Sequence, residues 1–384
     1  MTTQADVVFT PPNQMFEDAA KREFCRPPDQ TLLALAGDER VGQLLVADSF
    51  RSYIASAVRR RPLRLVEGLM VGGRAAVRVR PHRLRKVEST QLRTVERAYR
   101  RYCVLLGRAL ARARGERQPR PESAALVTYD PFVGAFCDGP WIRKVVYFGQ
   151  DDWATGEGVR SWWDLYQDAY RRIDERKAEI FVVSAELAAR ISPRATVVPN
   201  GVIADVWRPR YPTPPQINRL RRPRAIYTGT IDDRLERRLV EITASMVGSL
   251  ILMGPPGDAE VIRWLRSIDN VHVFGAVGQR ELAATVQACD VGVIPHRNQA
   301  GIRAMSPLKL YEYLAAGLPV VSVDMPPVRG VDDDRVHTCQ REDWALGLAL
   351  GCGMGRADED HRLRFIDEVS WQRRMRPVVD AAVD

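Results

Sequence analysis

The segment Ser306-Pro-Leu-Lys-Leu-Tyr-Glu-Tyr-Leu-Ala-Ala-Gly-Leu-Pro-Val-Val-Ser-Val323 reads as one helix running directly into one buried strand. Ser306 suits the cap of a helix and Pro307 suits its first turn. Leu308, Tyr311, Leu314 and Ala315 recur at helical spacing, which predicts one buried face. Gly317 permits the left-handed turn that ends a helix, and Pro319 bars its continuation. Val320, Val321 and Val323 then form an apolar run of strand length. A helix entered this way, with Lys309 in its first turn, is an anion receptor, because free amides, dipole and ammonium converge on one spot. Glu312 lies three residues on, on the same face as Lys309. The simpler alternative is a solvated helix whose Lys309 and Glu312 form a weak surface ion pair.

The same strand-then-helix grammar runs through the chain. Strands are predicted at 7–9, 124–129, 144–148, 180–183 and 195–198, with helices at 31–36, 88–114 and 162–177. Residues 41–47 read as a helix end followed by a strand. After residue 224 the alternation restarts, with strands at 225–227, 249–253, 271–274, 291–294 and 319–323. Helices are expected between them at 235–246, 259–266 and 280–288, and afterwards at 341–350 and 360–382. Such alternation specifies α/β architecture with parallel sheets covered on both faces. Residues 204–224 hold five prolines and little apolar periodicity, the composition of a linker. With 384 residues, the chain is too long for one ordinary core. The expected layout is two doubly wound, Rossmann-like domains facing each other across a cleft: 1–203 with a closing helix 360–384, a linker 204–224, and 225–359. Ligands of such sheets bind at the carboxyl ends of the strands.

Charge is unevenly placed. Residues 51–120 contain twenty Lys plus Arg against four Glu and no Asp, a balance of +16 within a chain of net +9. This asymmetry calls for an anionic partner of the N-terminal half. No zinc-finger spacing or RNA-binding aromatic motif accompanies it, so no nucleic acid is expected. Peripheral contact with an anionic membrane surface is the expectation; the alternative is that the arginines decorate solvated helix faces. The six cysteines are scattered without paired spacing, and the five histidines form no ligand pair. They predict reduced thiols, no metal site and no bound cofactor. No signal-peptide pattern and no run of eighteen apolar residues is present, so a cytoplasmic location is expected.

The second half resembles the C-terminal domain of the "group 1" family of retaining, nucleotide-sugar-dependent glycosyltransferases of the GT-B fold. The landmarks occur in the family's order: Val198-Pro-Asn-Gly-Val202, Tyr227-Thr-Gly-Thr-Ile-Asp-Asp-Arg-Leu235, Leu252-Met-Gly-Pro255, Val271-His-Val-Phe-Gly275, Asp290-Val-Gly-Val-Ile-Pro295 and the Ser306–Val323 segment. The first half matches mainly at Val145-Val-Tyr-Phe-Gly-Gln-Asp-Asp-Trp153 and Phe181-Val-Val-Ser184, and Ser370-Trp371-Gln372 resembles the closing helix.

The resemblance implies transfer of a sugar from a nucleoside diphosphate to an acceptor hydroxyl, in cell-surface glycan, glycolipid or natural-product biosynthesis. It implies that Gly229, Thr230 and Gly254 let the backbone approach the diphosphate. Arg234 and Lys309, with the amides about Ser306, Pro307 and Leu308, would hold the leaving diphosphate and take the place of a divalent metal. Glu312 would accept from the ribose hydroxyls, and Gly275, Ala276 and Val277 would contact the base. Many relatives carry a second glutamate eight residues before the ribose-binding one. Here that position is Ala304, so the sugar contact passes to His296, Arg297 or backbone at 301–305. Asp151 or Asp152 would orient the acceptor hydroxyl or act as its base, the alternative being an Asp that caps the next helix. Two other functions remain open on the sequence: a nucleotide-sugar epimerase of the same fold, and a non-catalytic basic binding protein.

Overall fold

The computed structural model describes residues 4–58, 65–83, 88–297 and 299–384. The chain divides into two compact units, Met1–Pro199 with Met375–Asp384, and Asn200–Arg374.

The first unit is built on an eight-stranded sheet. Its order is Thr196–Val197, Glu179–Val182, Ile142–Gly149, Ala124–Thr128, Ala5–Thr10, Val41–Ala47, Arg74–Val79 and Val66–Val71. Pairing is parallel except in the last hairpin, Val66–Val71 with Arg74–Val79, which the sequence reading missed. Its turn is Gly72-Gly73, both at positive φ (54° and 84°), the backbone that a two-residue hairpin loop requires. Residues 41–47 are strand throughout rather than a helix end. Gly42 sits where a Cβ would lie 2.6 Å from Asp6 Oδ1, the same oxygen that accepts the Gln43 amide. The long helix Leu92–Ala113 buries Val95, Tyr99, Cys103, Leu106 and Leu110. Its outer face carries Arg93, Arg97, Arg100, Arg101, Arg108 and Arg112, all exposed. Arg59, Arg60, Arg61, Arg64, Arg85 and Lys86, which contribute to the basic block, lie outside the described residues.

The second unit has a six-stranded, wholly parallel sheet in the order Val271–Phe274, Ser249–Met253, Arg224–Thr228, Val291–Ile294, Val320–Val323 and Val336–Cys339. The first three strands of the unit run outward to one side and the next three to the other. That order is the doubly wound arrangement, with its switch point between Arg224–Thr228 and Val291–Ile294. The last of these strands, Val336–Cys339, was not foreseen. Residues 204–224 are not a bare linker: short helices form at Ala204–Trp207 and Pro215–Asn218, and Trp207 and Ile217 are buried in the core of this unit. The expected closing helix is two helices, Glu359–Glu368 and Trp371–Val383. At their junction the Val202 amide donates to the Val369 carbonyl, and a Cβ on Gly201 would stand 2.5 Å from that oxygen. The Asp333 carboxylate is buried against Arg335. Among the described residues the cysteines are free thiols, and no helix is long and apolar enough to cross a membrane.

Candidate functional site

The carboxyl end of Arg224–Thr228 opens into Gly229, whose φ of +115° only glycine adopts without strain. A Cβ there would lie 3.2 Å from the Lys309 Nζ, so the missing side chain is what leaves the ammonium its place. Gly254, at the end of the neighbouring strand, has φ +155°, and its Cβ would stand 2.0 Å from the Gly229 carbonyl. Two strand ends cross here with no room for side chains. Thr230 follows, half-buried, and its carbonyl accepts from the Tyr227 hydroxyl at 3.3 Å.

The helix carrying the lysine spans Leu308–Ala315, and every residue from Lys309 to Ala315 is buried. The apolar periodicity predicted one hidden face; both are hidden. Lys309 and Glu312 are therefore not a solvated surface pair. The Lys309 Nζ rests 3.8 Å from the centroid of the Tyr227 ring, a cation–π contact, and 3.4 Å from His296 Nε2. Burial, reinforced by Arg234, drives its pKa well below that of an ordinary lysine. Burial likewise pushes the Glu312 carboxyl up to about 7, against the opposing pull of Lys309 and the Thr228 hydroxyl.

His296 lies on the facing loop at the switch point. Its Nε2 meets both the Tyr227 hydroxyl, at 3.1 Å, and the lysine. Burial and the neighbouring Lys309 hold its pKa well below the usual range, so the ring is neutral. The Nδ1 atom is buried and has no partner among the described residues. Arg234 is brought alongside by backbone pairing: the Arg297 amide donates to the Arg234 carbonyl at 2.8 Å, and Glu236 donates to Pro295. The Arg234 Nε is held by Asp232 at 2.9 Å.

Ser306 does not cap the helix. Pro307 occupies the cap position, buried, and Leu308 begins the helix half-buried. The Ser306 hydroxyl accepts from the Asn200 amide, and its carbonyl accepts from Asn200 Nδ2 at 2.6 Å. This pairing turns the helix entrance toward the Val198–Val202 segment and ties together two of the motifs read from the sequence. Ala304 is buried. Gly275, Ala276 and Val277 follow the edge strand Val271–Phe274 on the same carboxyl side of the sheet, the first two exposed. The supports the sequence reading overlooked are aromatic. Tyr227 underlies the lysine, and the Tyr313 hydroxyl accepts the Thr228 amide at 2.7 Å. A Cβ on Gly292 would come within 2.2 Å of the Tyr313 ring, so that glycine in Asp290-Val-Gly-Val was the readable sign of a packed ring.

In the first unit, Asp152 is buried, with Oδ2 2.9 Å from Arg190 and Oδ1 accepting the Ala154 amide. It holds its own loop rather than capping the next helix, whose cap position is Gly156. Asp151 is exposed, and its carbonyl lies 3.5 Å from the Tyr170 hydroxyl.

Two doubly wound units of this kind define the GT-B fold. Across the chain the structure is similar to a sucrose-phosphate synthase from Thermosynechococcus elongatus, with a TM-score of 0.67, 14% identity, and coverage of 98% of this chain and 97% of the other. It is also similar to an α,α-trehalose 6-phosphate synthase from Burkholderia multivorans, with a TM-score of 0.64, 12% identity, and 99% and 98% coverage. Residues 223–347 match the family described as Glycosyl transferases group 1. A relative in Bacillus subtilis (strain 168), the putative teichuronic acid biosynthesis glycosyltransferase TuaH, is 26% identical over 131 residues; the aligned stretch is a third of each chain.

Proposed function

We propose that this chain transfers a sugar from a nucleoside-diphosphate sugar to an acceptor hydroxyl, with retention at the anomeric carbon. One observation carries the reading: an ammonium enclosed at the switch point, against a glycine and an aromatic ring, facing a buried glutamate three residues on. A buried lysine is costly until an anion arrives, and a diphosphate supplies the missing charge. The Arg234 guanidinium is already held beside it by Asp232. Together the two cations stabilise charge on the leaving diphosphate as the glycosidic bond breaks. Glu312 receives the ribose hydroxyls, and the unpartnered Nδ1 of His296 offers the sugar a polar contact in place of the glutamate absent at Ala304. The exposed loop 275–277 serves the base. In this reading the cations do the work of a divalent metal.

Thermal unfolding with UDP, GDP and ADP tests the proposal, because a ligand that binds only the native state raises apparent stability. One nucleotide should raise the melting temperature with EDTA present, and Lys309→Ala should abolish the rise. The proposal fails if no nucleoside diphosphate stabilises the protein and none of the corresponding sugar nucleotides is turned over.

The arginine face of Leu92–Ala113, with Val104 exposed among its charges, supports peripheral contact with an anionic lipid surface. Flotation with phosphatidylglycerol vesicles, set against phosphatidylcholine and against rising salt, checks it. Equal recovery on both lipids would remove this part of the reading.

A further inference from the structure

The helix Trp344–Met354 carries no charged or hydrogen-bonding side chain apart from the indole of Trp344 and the thiol of Cys352. A helix that is apolar all round belongs in a core, covered on every side. This one is covered on one side. Trp344, Gly347, Leu348 and Gly351 are buried, and the Trp344 Nε1 donates at 2.9 Å to Thr243 of the helix Arg237–Met246. Leu346, Leu350 and Met354 are 61%, 48% and 45% exposed, in a row at intervals of four residues. Ala345, Ala349 and Gly353 are exposed beside them at the same interval. Among the described residues, the exposed large apolar side chains of the second unit are that row and Met246, three residues on from Thr243.

The glycines tell the two faces apart. A Cβ on Gly347 would stand 2.9 Å from Cys339 Sγ, and one on Gly351 2.5 Å from Val321 Cγ2, so these two let the helix lie close on the outer strands of its sheet. Gly353 has nothing within 4 Å. Glycine inside a helix is destabilising, and no contact within the described chain accounts for it here. The close approach of a backbone from outside would.

The composition of the face points to a second copy. No charge interrupts it, so it selects neither an acidic nor a basic partner. Residues 200–374 hold 23 Lys plus Arg against 22 Asp plus Glu, within a chain of net +9. The positive excess therefore lies in the first unit, and copies that meet through this helix do so where they repel each other least. The face is also self-complementary. Set antiparallel across a two-fold axis, the rows of small residues face each other and admit two backbones, the leucine rows interdigitate, and the helix dipoles oppose. Covering the patch on both copies buries roughly 1,000 Å2, the lower limit for a specific interface, so a weak, concentration-dependent pair is expected.

We infer that the face bearing Leu346, Leu350 and Met354 is the interface of a homodimer, in which two copies of this helix pack antiparallel about a two-fold axis near Ala349. The pairing is independent of the transferase reading.

The experiment is sedimentation velocity on the full chain from low to high micromolar concentration. The weight-average mass should climb from 43.3 kDa towards twice that value. Leu350→Glu should raise the dissociation constant at least about thirtyfold, since a symmetric pair loses the contact twice. Val104→Glu, at an apolar residue of the first unit that is 53% exposed, should leave association unchanged. In a chain with Cys25→Ser and Cys352→Ala, Ala349→Cys should crosslink to itself under copper phenanthroline in air, whereas Ala345→Cys, which an antiparallel pair sets opposite Gly353, should not. The dimer is overturned if the parent chain stays monomeric throughout, if Leu350→Glu associates as the parent does, if Val104→Glu abolishes association, or if Ala349→Cys fails to crosslink. A monomeric parent whose flotation with phosphatidylglycerol vesicles is lost in Leu350→Glu would make the face a lipid contact instead, and would overturn it equally.

Discussion

The two units bring their central strands to the same kind of opening and line it with opposite chemistry. In the second unit the switch point holds an ammonium and an imidazole packed around one tyrosine ring, with a buried carboxyl three residues from the lysine. In the first it is lined by aromatic rings together with Asp130 and the Arg83–Glu88 pair. Sheet topology decides where a ligand goes, and the side chains at the strand ends decide which ligand. The polar opening suits an anion that arrives with its own charge.

Breaking this contrast begins with Lys309. Lys309→Ala should cut transfer by about 100-fold or more, the scale of losing a preorganised group that meets developing charge. Turnover of the sugar nucleotide that stabilises the parent chain measures it, and a rate within a few-fold of the parent would leave the polar opening without its role. Next comes Glu312→Gln. The folded state raises this carboxyl from 4.5 to about 7, so the fold bears a cost that is absent below about 4.5 and fully present above about 7. Removing it should stabilise the protein at pH 8 by at most about 3 kcal/mol, vanishing in acid, while nucleotide affinity falls. Denaturant unfolding at pH 8 and pH 4.5 reads the difference, and an equal effect at both would show that the carboxyl is not desolvated.

Tyr313→Phe leaves the Thr228 amide, now 2.7 Å from the hydroxyl, without its acceptor inside the core. That should cost about 1–3 kcal/mol of stability, in the second unit alone, seen as a lower denaturant midpoint. Asp152→Asn is the mildest. Its ion pair reaches an arginine that is 45% exposed, so about 1 kcal/mol is expected once solvent screening is counted. Stabilisation by nucleotide should be untouched; a loss of it would give this loop a part in the donor site.

Much of the second unit was legible because its inner strands are buried on both faces and read as plain apolar runs. Ser249–Met253, Val291–Ile294 and Val320–Val323 stand where the runs place them. The Gly317 turn was legible too, since its φ of +82° is what a helix-ending glycine is for. Less regular signals failed for identifiable reasons. The proline-rich stretch 204–224 looked like a tether, yet two apolar residues in it, Trp207 and Ile217, were enough to anchor it in the core. Ser306 looked like a cap, but Asn200, more than a hundred residues away in sequence, took its hydroxyl and carbonyl. In the first unit, attention to Asp151-Asp152 passed over Tyr129-Asp130-Pro131, an acid between a strand end and a proline, which was the readable sign of a helix cap.

What the sequence determined by itself is the grammar: alternating strands and helices, glycines where backbones must cross, and a lysine and a glutamate one helical turn apart. Those follow from local sterics and from the period of apolar residues, which need no knowledge of the neighbours. The tertiary structure alone decided that this lysine lies against a tyrosine ring rather than in solvent, and that Asp152 is taken up by Arg190 and its own loop. Burial is a property of what packs around a residue, and it is burial that turns an ordinary charge into one that needs a partner.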